Sequence, residues 1–205
     1  KKGNVQDKID PYSKQELSNL LKGFKEWTPE HYPLMLTLAR TGMRLGEVFA
    51  LQWDDINFEK RSIKVQRTFY RTKIGTPKNG KSRLVDMSKQ LSETLIDLKN
   101  KRKADATENG LDTPFKWIFP NKDGNPSDSG NWRRRIFYKV IEKAGLRKIR
   151  IHDIRHTYAS LLIQAGESLA YIRDQLGHHS ISITVDTYGH LTPGENKAAV
   201  DRLDD

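Results

Sequence analysis

Apolar residues recur at helical spacing through most of the chain. Ser13-Lys14-Gln15-Glu16 has capping-box spacing ahead of Leu17, Leu20 and Leu21, which predicts a helix opening there. A second helix is predicted from Pro33 through Leu34, Leu36 and Leu38 to a sharp turn at Thr41-Gly42. A third begins near Arg44, with Leu45, Val48, Phe49 and Leu51 on its apolar face. From Ser62 to Met87 the texture changes to alternation, around Ile63 and Val65 and again at Leu84 and Val85, with Thr68-Phe69-Tyr70 between. Asn79-Gly80 is a strong hairpin dipeptide, so this region predicts a small antiparallel sheet turning at 79–80.

A further helix should open at Ser88 and carry Leu91, Leu95, Ile96 and Leu98, followed by a polar loop from Asp105 to Thr113 and a short apolar piece, Trp117 to Pro120. Beyond it the pattern predicts helices over Trp132 to Ala144, His152 to Ala165 and Leu169 to Leu176, a short piece from Thr184 to Tyr188, and a last helix from Pro193 to Leu203. Gly145, Gly166 and Gly177 punctuate them. The fold class is mainly α with a small antiparallel β-sheet, α+β. No repeat or low-complexity segment interrupts it.

Charge narrows the partner. Lys and Arg exceed Asp and Glu by enough to give a net charge of +10, which attracts polyanions through release of their counterions. The basic residues are spread along the chain rather than gathered in a tail or one amphipathic helix, which favours nucleic acid over an anionic membrane. An apolar fraction of 36%, with 4 Trp and 7 Phe, suffices for a folded core. With no Cys, disulfides and thiolate metal sites are excluded. No signal peptide or membrane-length apolar run is present, so an intracellular, cytoplasmic protein is expected. The absence of an initiating Met suggests an excised domain or processed form.

The candidate chemistry lies in a few polar clusters. Thr41-Gly42-Met43-Arg44-Leu45-Gly46-Glu47 sets an arginine at a helix N-terminus, where backbone N–H groups favour an anion and a guanidinium can grip two phosphate oxygens. A surface pair between Arg44 and Glu47 is the plainer alternative. His152 and Arg155 share one face of a helix start. His156 completes a zinc-like spacing with His152, but the glutamate expected beside the first histidine is missing and Arg155 would repel a cation, so no metal is expected. His156 reads instead as a buried, hydrogen-bonded histidine.

His178 follows Gly177 at a helix end, and Tyr188 sits ten residues on in a short polar segment that could bring a phenol to a phosphate. Tyr138, Tyr158 and Tyr171 lie within apolar helical patterns and read as packing residues. Lys78 and Lys81 flank the Asn79-Gly80 turn, where a lysine can reach into a groove.

Taken together, the 41–47 motif, Pro77-Lys78-Asn79-Gly80-Lys81, His152-Asp153-Ile154-Arg155, Leu176-Gly177-His178 and Tyr188 resemble the catalytic domain of a tyrosine recombinase of the phage-integrase family. The resemblance runs from about Asp10 to Leu203, and the order and spacing of the motifs make it specific. It implies a site-specific DNA recombinase that integrates or excises a mobile element through a covalent 3′-phosphotyrosine, without cofactor, metal or ATP. Tyr188 would be the nucleophile, and Arg44 and Arg155 would hold the scissile phosphate. His152 would accept the phenol proton or hydrogen-bond the phosphate, and His178 would be a further phosphate donor. Lys78, or Lys81 in its place, would be the general acid, and Glu47 would orient Arg44. Lys81, Arg83, Arg133 and Arg134 are candidate DNA contacts.

By the same resemblance, residues 1–10 would be a leader or linker, 11–192 the catalytic domain, and 193–205 a C-terminal helix and tail that could pack on a neighbouring protomer. The upstream helical domain that clamps DNA in such integrases has no room in this chain. A homo-multimer on DNA, a tetramer by family pattern, and accessory DNA-bending proteins would be its partners. A type IB topoisomerase and a non-catalytic DNA-binding module are the two rival readings.

Overall fold

The computed structural model describes residues 10–70, 73–77, 80–108, 116–127, 129–191 and 197–204. Helix α1 (Lys14–Trp27) opens on the expected capping box: the Glu16 amide donates to Ser13 Oγ at 3.2 Å and the Ser13 amide to Glu16 Oε2 at 2.7 Å. Its Leu17, Leu20, Leu21 and Phe24 face α2 (Tyr32–Thr41), which is buried along most of its length and packs against α1 and two later helices. Gly42 ends α2 at φ 60°, and a Cβ there would stand 2.5 Å from the Tyr158 ring, so only glycine fits. The chain turns at once into α3 (Leu45–Phe49).

Strands β1 (Ile56–Asn57), β2 (Ser62–Val65) and β5 (Arg83–Asp86) form an antiparallel sheet in the order β1-β2-β5, with Ile63 opposite Val85. The expected pairing of the two alternating stretches is present, while the expected turn at 79–80 includes Asn79, which lies outside the described residues. Between the two stretches β3 (Thr68–Tyr70) and β4 (Lys73–Gly75) pair with each other as a separate two-stranded ribbon. Closing that short loop costs less chain entropy than carrying Thr68-Phe69-Tyr70 into a long hairpin. The Gly80 amide donates to Pro77 O at 2.8 Å, which closes a turn from Pro77 to Gly80. Lys78 and Asn79 lie outside the described residues.

Helix α4 (Lys89–Glu108) runs into the stretch expected as loop from Asp105, since Ala-Asp-Ala-Thr-Glu contains nothing that stops a helix. The helix expected over Trp132 to Ala144 is built from α5 (Ser129–Trp132), a π-helical stretch (Arg133–Phe137) and α6 (Tyr138–Lys143). It places Trp132 against Phe24, Phe49 and Phe137, with centroids 6.0, 6.2 and 6.1 Å away. Then come α7 (Asp153–Gln164), α8 (Leu169–Leu176), α9 (Ile181–Tyr188) and α10 (Lys197–Asp201). α9 begins earlier than expected because Ser180 caps it, accepting from the Ser182 amide at 3.1 Å. Pro193, the expected start of the last helix, lies outside the described residues.

The N-terminal end of the described chain is tied down. Tyr12 is buried, its amide donating to Thr157 Oγ1 at 3.0 Å and its hydroxyl to Arg147 O at 2.6 Å. Most apolar side chains form one core beneath α1 to α6, while a second cluster gathers Tyr158, Ala159, Ile163, Ile172, Leu176 and Tyr188 between α7, α8 and α9. Among the described residues no helix is long and apolar enough to cross a membrane.

Candidate active site

Arg44 is the N-cap residue of α3, and its amide donates to Glu47 Oε2 at 2.9 Å. Its guanidinium also meets Glu47 Oε1 at 3.0 Å and stays partly open to solvent, whereas Glu47 is only 1% exposed. Glu47 therefore fixes one edge of Arg44 and leaves the rest for an anion. Burial opposes the ionised carboxylate, but the hydrogen bonds and charges of Arg83 and Arg44 prevail and hold its pKa below the ordinary value.

The second partner of Glu47 is Arg83, which donates to Oε1 at 3.1 Å and to Oε2 at 2.8 Å. Its Nε donates to Gln175 O at 3.0 Å. Expected to face DNA, Arg83 is instead turned inward: a carboxylate and a carbonyl in the interior offered a better match to its fork than the surface. Gly177 makes room for it, because a Cβ there would stand 2.6 Å from Arg83 Cδ.

Helix α7 supplies the next groups. Arg155 is buried, donating through Nη1 to Gly42 O at 2.7 Å and through Nη2 to Leu176 O at 2.6 Å. One guanidinium thus joins the turn before Arg44 to the helix end before His178. Burial, then the charge of Arg44, lowers its pKa to about 9, leaving it cationic at neutral pH. His152 lies at the solvent-facing start of α7, its ring edge-on to His156 with centroids 5.1 Å apart. Desolvation, then the charges of His156, Arg155 and Arg44, lowers the His152 pKa to about 4.

His178 follows the left-handed Gly177 at the end of α8, and its Nδ1 meets Thr184 Oγ1 of α9 at 2.9 Å. Burial, then Arg155 and Arg44, lowers its pKa to about 4. One turn further along α9, Tyr188 is 1% exposed, and its Oη lies 2.7 Å from His156 Nδ1. Burial pushes the phenol pKa up to about 12, against the attraction of Arg155.

Residues distant in the chain thus meet in one region. Arg44 from α3, His152, Arg155 and His156 from α7, His178 after α8 and Tyr188 from α9 touch one another or feel one another's charge. Lys78 lies outside the described residues. Lys81, Arg133 and Arg134 are exposed, the last two on the π-helical stretch. Tyr158 is buried and Tyr171 donates to Asp86 Oδ2 at 2.8 Å, both as structural residues. Among the described residues no group of three or more His, Asp or Glu side chains could hold a metal ion.

Two members of the site were not legible beforehand. His156 was expected to be hydrogen-bonded, but its partner, Tyr188, is 32 positions away. Arg83 is one of many basic residues in its strand region, and only the fold shows that it faces Glu47.

Known proteins resemble this chain over most of its length. The model of the phage integrase family matches residues 12–195. The chain is 34% identical over 205 residues to the ICEBs1 integrase of Bacillus subtilis, covering 90% of this chain and 55% of that protein. It is 30% identical over 219 residues to a XerC-like tyrosine recombinase of Caldanaerobacter subterraneus, covering 98% of this chain and 55% of that one. The chain therefore spans about half the length of these curated relatives. Among solved structures, the Tn1549 transposon integrase in complex with transposon right end DNA superposes with a TM-score of 0.80 at 23% identity, over 98% of this chain and 68% of that one. The XerA recombinase superposes with a TM-score of 0.71 at 25% identity, over 95% and 63%.

Proposed function

Because the chain belongs to the phage integrase family, we propose that it carries the strand-cutting chemistry of a site-specific DNA recombinase that integrates or excises a mobile element. The observation that carries this reading is the meeting of the Tyr188 phenol with α7, the helix that also bears His152 and Arg155, within the field of Arg44.

A phosphodiester under attack gains negative charge, so cations fixed before the reaction favour the transition state over the ground state. Arg44, braced by Glu47, and Arg155, braced by two carbonyls, hold the non-bridging oxygens. His152 and His178 donate hydrogen bonds to the same phosphate. Tyr188 attacks, the 5′ oxygen leaves with a proton from Lys78 or Lys81, and the 3′-phosphotyrosine conserves the bond energy for rejoining, with no need for ATP. Lys81, Arg133 and Arg134 contact the duplex backbone.

Tyr188 is buried in this structure, so the phenol has to come out of its apolar cluster to meet the phosphate. α9 also presents Ile181 and Val185 to solvent, and the segment is short enough to shift as a unit. The C-terminal helix supports assembly on DNA as a multimer, a tetramer with accessory DNA-bending proteins. Val200 is 63% and Leu203 80% exposed, an apolar face that a neighbouring protomer would cover. Deleting residues 193–205 would then weaken assembly on DNA.

The test is a nicked suicide duplex bearing the crossover site, incubated in chelator. A covalent adduct that Tyr188→Phe abolishes is the expected result. An adduct that persists in that variant, or a strict magnesium requirement, overturns the reading.

A further inference from the structure

We propose that His156 is the catalytic base of strand cleavage, its Nδ1 taking the phenolic proton of Tyr188 as the tyrosine oxygen attacks phosphorus. This rests on Tyr188 being the nucleophile.

The first support is contact. Tyr188 Oη and His156 Nδ1 stand 2.7 Å apart, a hydrogen-bond distance suited to proton transfer. The His152 ring stands edge-on to the His156 ring with centroids 5.1 Å apart, and the His156 ring packs against the Tyr188 ring at 5.7 Å.

The second is position along α7. His156 directly follows Arg155 and lies one helical turn after His152. A phenol that reaches a phosphate held by those two residues stays beside the same turn of helix, so its proton acceptor travels no distance relative to the phosphate.

The third is the state of the imidazole. A base must be unprotonated, and the groups around His156 keep it so. Arg155 on its own helix and Arg150 before the helix disfavour a second cation, and His152, His178 and Tyr188 face it from around the site. Asp153 pulls the other way, toward imidazolium, and is itself held by Arg150 at 3.0 Å. Burial is the largest influence on the ring and, with Arg155 and Arg150, outweighs Asp153, so the His156 pKa lies below its ordinary value. With the ring proton on Nε2, Nδ1 accepts from the phenol, which is protonated at neutral pH.

The step balances. The Oη–P bond forms as the P–O5′ bond breaks; the phenol proton passes to His156 Nδ1, and the departing 5′ oxygen takes a proton from Lys78 or Lys81. In rejoining, the 5′ hydroxyl attacks and gives its proton back to Lys78 or Lys81, the phosphotyrosine bond breaks, and His156 returns its proton to the phenolate. A phenol whose pKa is about 12 has little nucleophilic anion of its own at neutral pH, so a base in contact with it is where acceleration is gained.

The experiment measures single-turnover adduct formation by the whole chain between about pH 4.5 and 8.5, on an ordinary suicide duplex and on one with a 5′-bridging phosphorothiolate, whose thiolate leaves without an acid. His156→Gln and His156→Ala are compared with His152→Gln, with folding of each checked by thermal unfolding. The expected result is a fall of ~10²-fold or more in both His156 variants, loss of the rising acid limb of the rate profile, and no rescue by the phosphorothiolate. His152→Gln should keep the limb. Either folded His156 variant cleaving at the wild-type rate or faster would make the contact a latch on the resting tyrosine and overturn the proposal. An adduct that persists in Tyr188→Phe instead overturns the choice of nucleophile on which it rests.

Discussion

Arg83 grips both oxygens of the Glu47 carboxylate from one side, while Arg44 holds the carboxylate from the other. Because Arg83 also donates to Gln175 O, one guanidinium ties β5, α3 and α8 into a frame whose outputs are Arg44 and the helix end before His178. Replacing Arg83 by Gln would leave Glu47, 1% exposed, with half of its compensation. Breaking a buried pair from one side costs about 3–5 kcal/mol, and Arg44 remaining in place should keep the loss at the lower end. Denaturant unfolding of R83Q checks the stability, and adduct formation should slow because Arg44 is less firmly aimed. R83K, which keeps the charge without the fork, should recover stability more than cleavage.

Gly177 tests the same frame from the other side. It sits at φ 65°, and an added methyl would meet Arg83 Cδ at 2.6 Å. Gly177→Ala combines a left-handed strain of about 1 kcal/mol with displacement of Arg83 or of the helix end. The expected outcome is a loss of roughly 2 kcal/mol or more in denaturant unfolding and slower cleavage. A wild-type unfolding midpoint in this variant would show that the close approach is not maintained in solution.

Local signals carried the helices well. The capping box at Ser13 and Glu16 is present bond for bond, and Gly42 and Gly177 end their helices in the left-handed conformation. The sheet was half legible. The alternation at Ile63, Val65 and Val85 marked strands that do pair, but a turn dipeptide says only that the chain bends, not which strands flank the bend. The motif residues Arg44, Arg155, His178 and Tyr188 were visible because each sits at a helix terminus or in a polar segment. Arg83 and His156 were not, because their significance lies in partners 36 and 32 positions away. Such pairings are set by how α3, α7, α8 and α9 pack, which no local pattern encodes.

The imidazoles should make the fold sensitive to mild acid. The pKa of His178 is lowered to about 4 and that of His156 also lies below its ordinary value, both first through burial. The unfolded chain binds those protons near pH 6.5, whereas the folded chain binds them only at lower pH, about 4 for His178. Stability from these groups is therefore complete above about pH 6.5 and falls below it, the His178 share being lost as pH drops toward 4. Glu47, with its pKa depressed, extends the decline below the ordinary carboxylate range. Urea unfolding between pH 7.5 and 4.5 should show the loss, and His178→Asn should flatten it. Proton NMR should find the His178 ring neutral at pH 6; a titration near 6.5 would contradict the crowding by Arg155 and Arg44.

Tyr188 should behave oppositely, on the alkaline side. Burial raises its pKa from 10.0 to about 12, so the folded state favours the neutral phenol. That contribution is fully present below pH 10, where both states are protonated, and is lost as pH rises through 10 toward 12, because the unfolded chain ionises first. Two pKa units correspond to roughly 3 kcal/mol. Tyr188→Phe lacks this loss but also lacks the hydrogen bond to His156, worth about 1 kcal/mol at neutral pH. The two stability curves should therefore cross: wild type is the more stable near pH 7, and the phenylalanine variant the more stable near pH 11. Tyr12 and Tyr158, whose pKa values are also raised, are common to both proteins and cancel in the difference. The absorbance change at about 295 nm, wild type minus variant, should have its midpoint near 12 while the protein remains folded. A midpoint near 10 would mean that the phenol already stands in solvent, away from His156, and that the tyrosine is poised outside its cluster before DNA arrives.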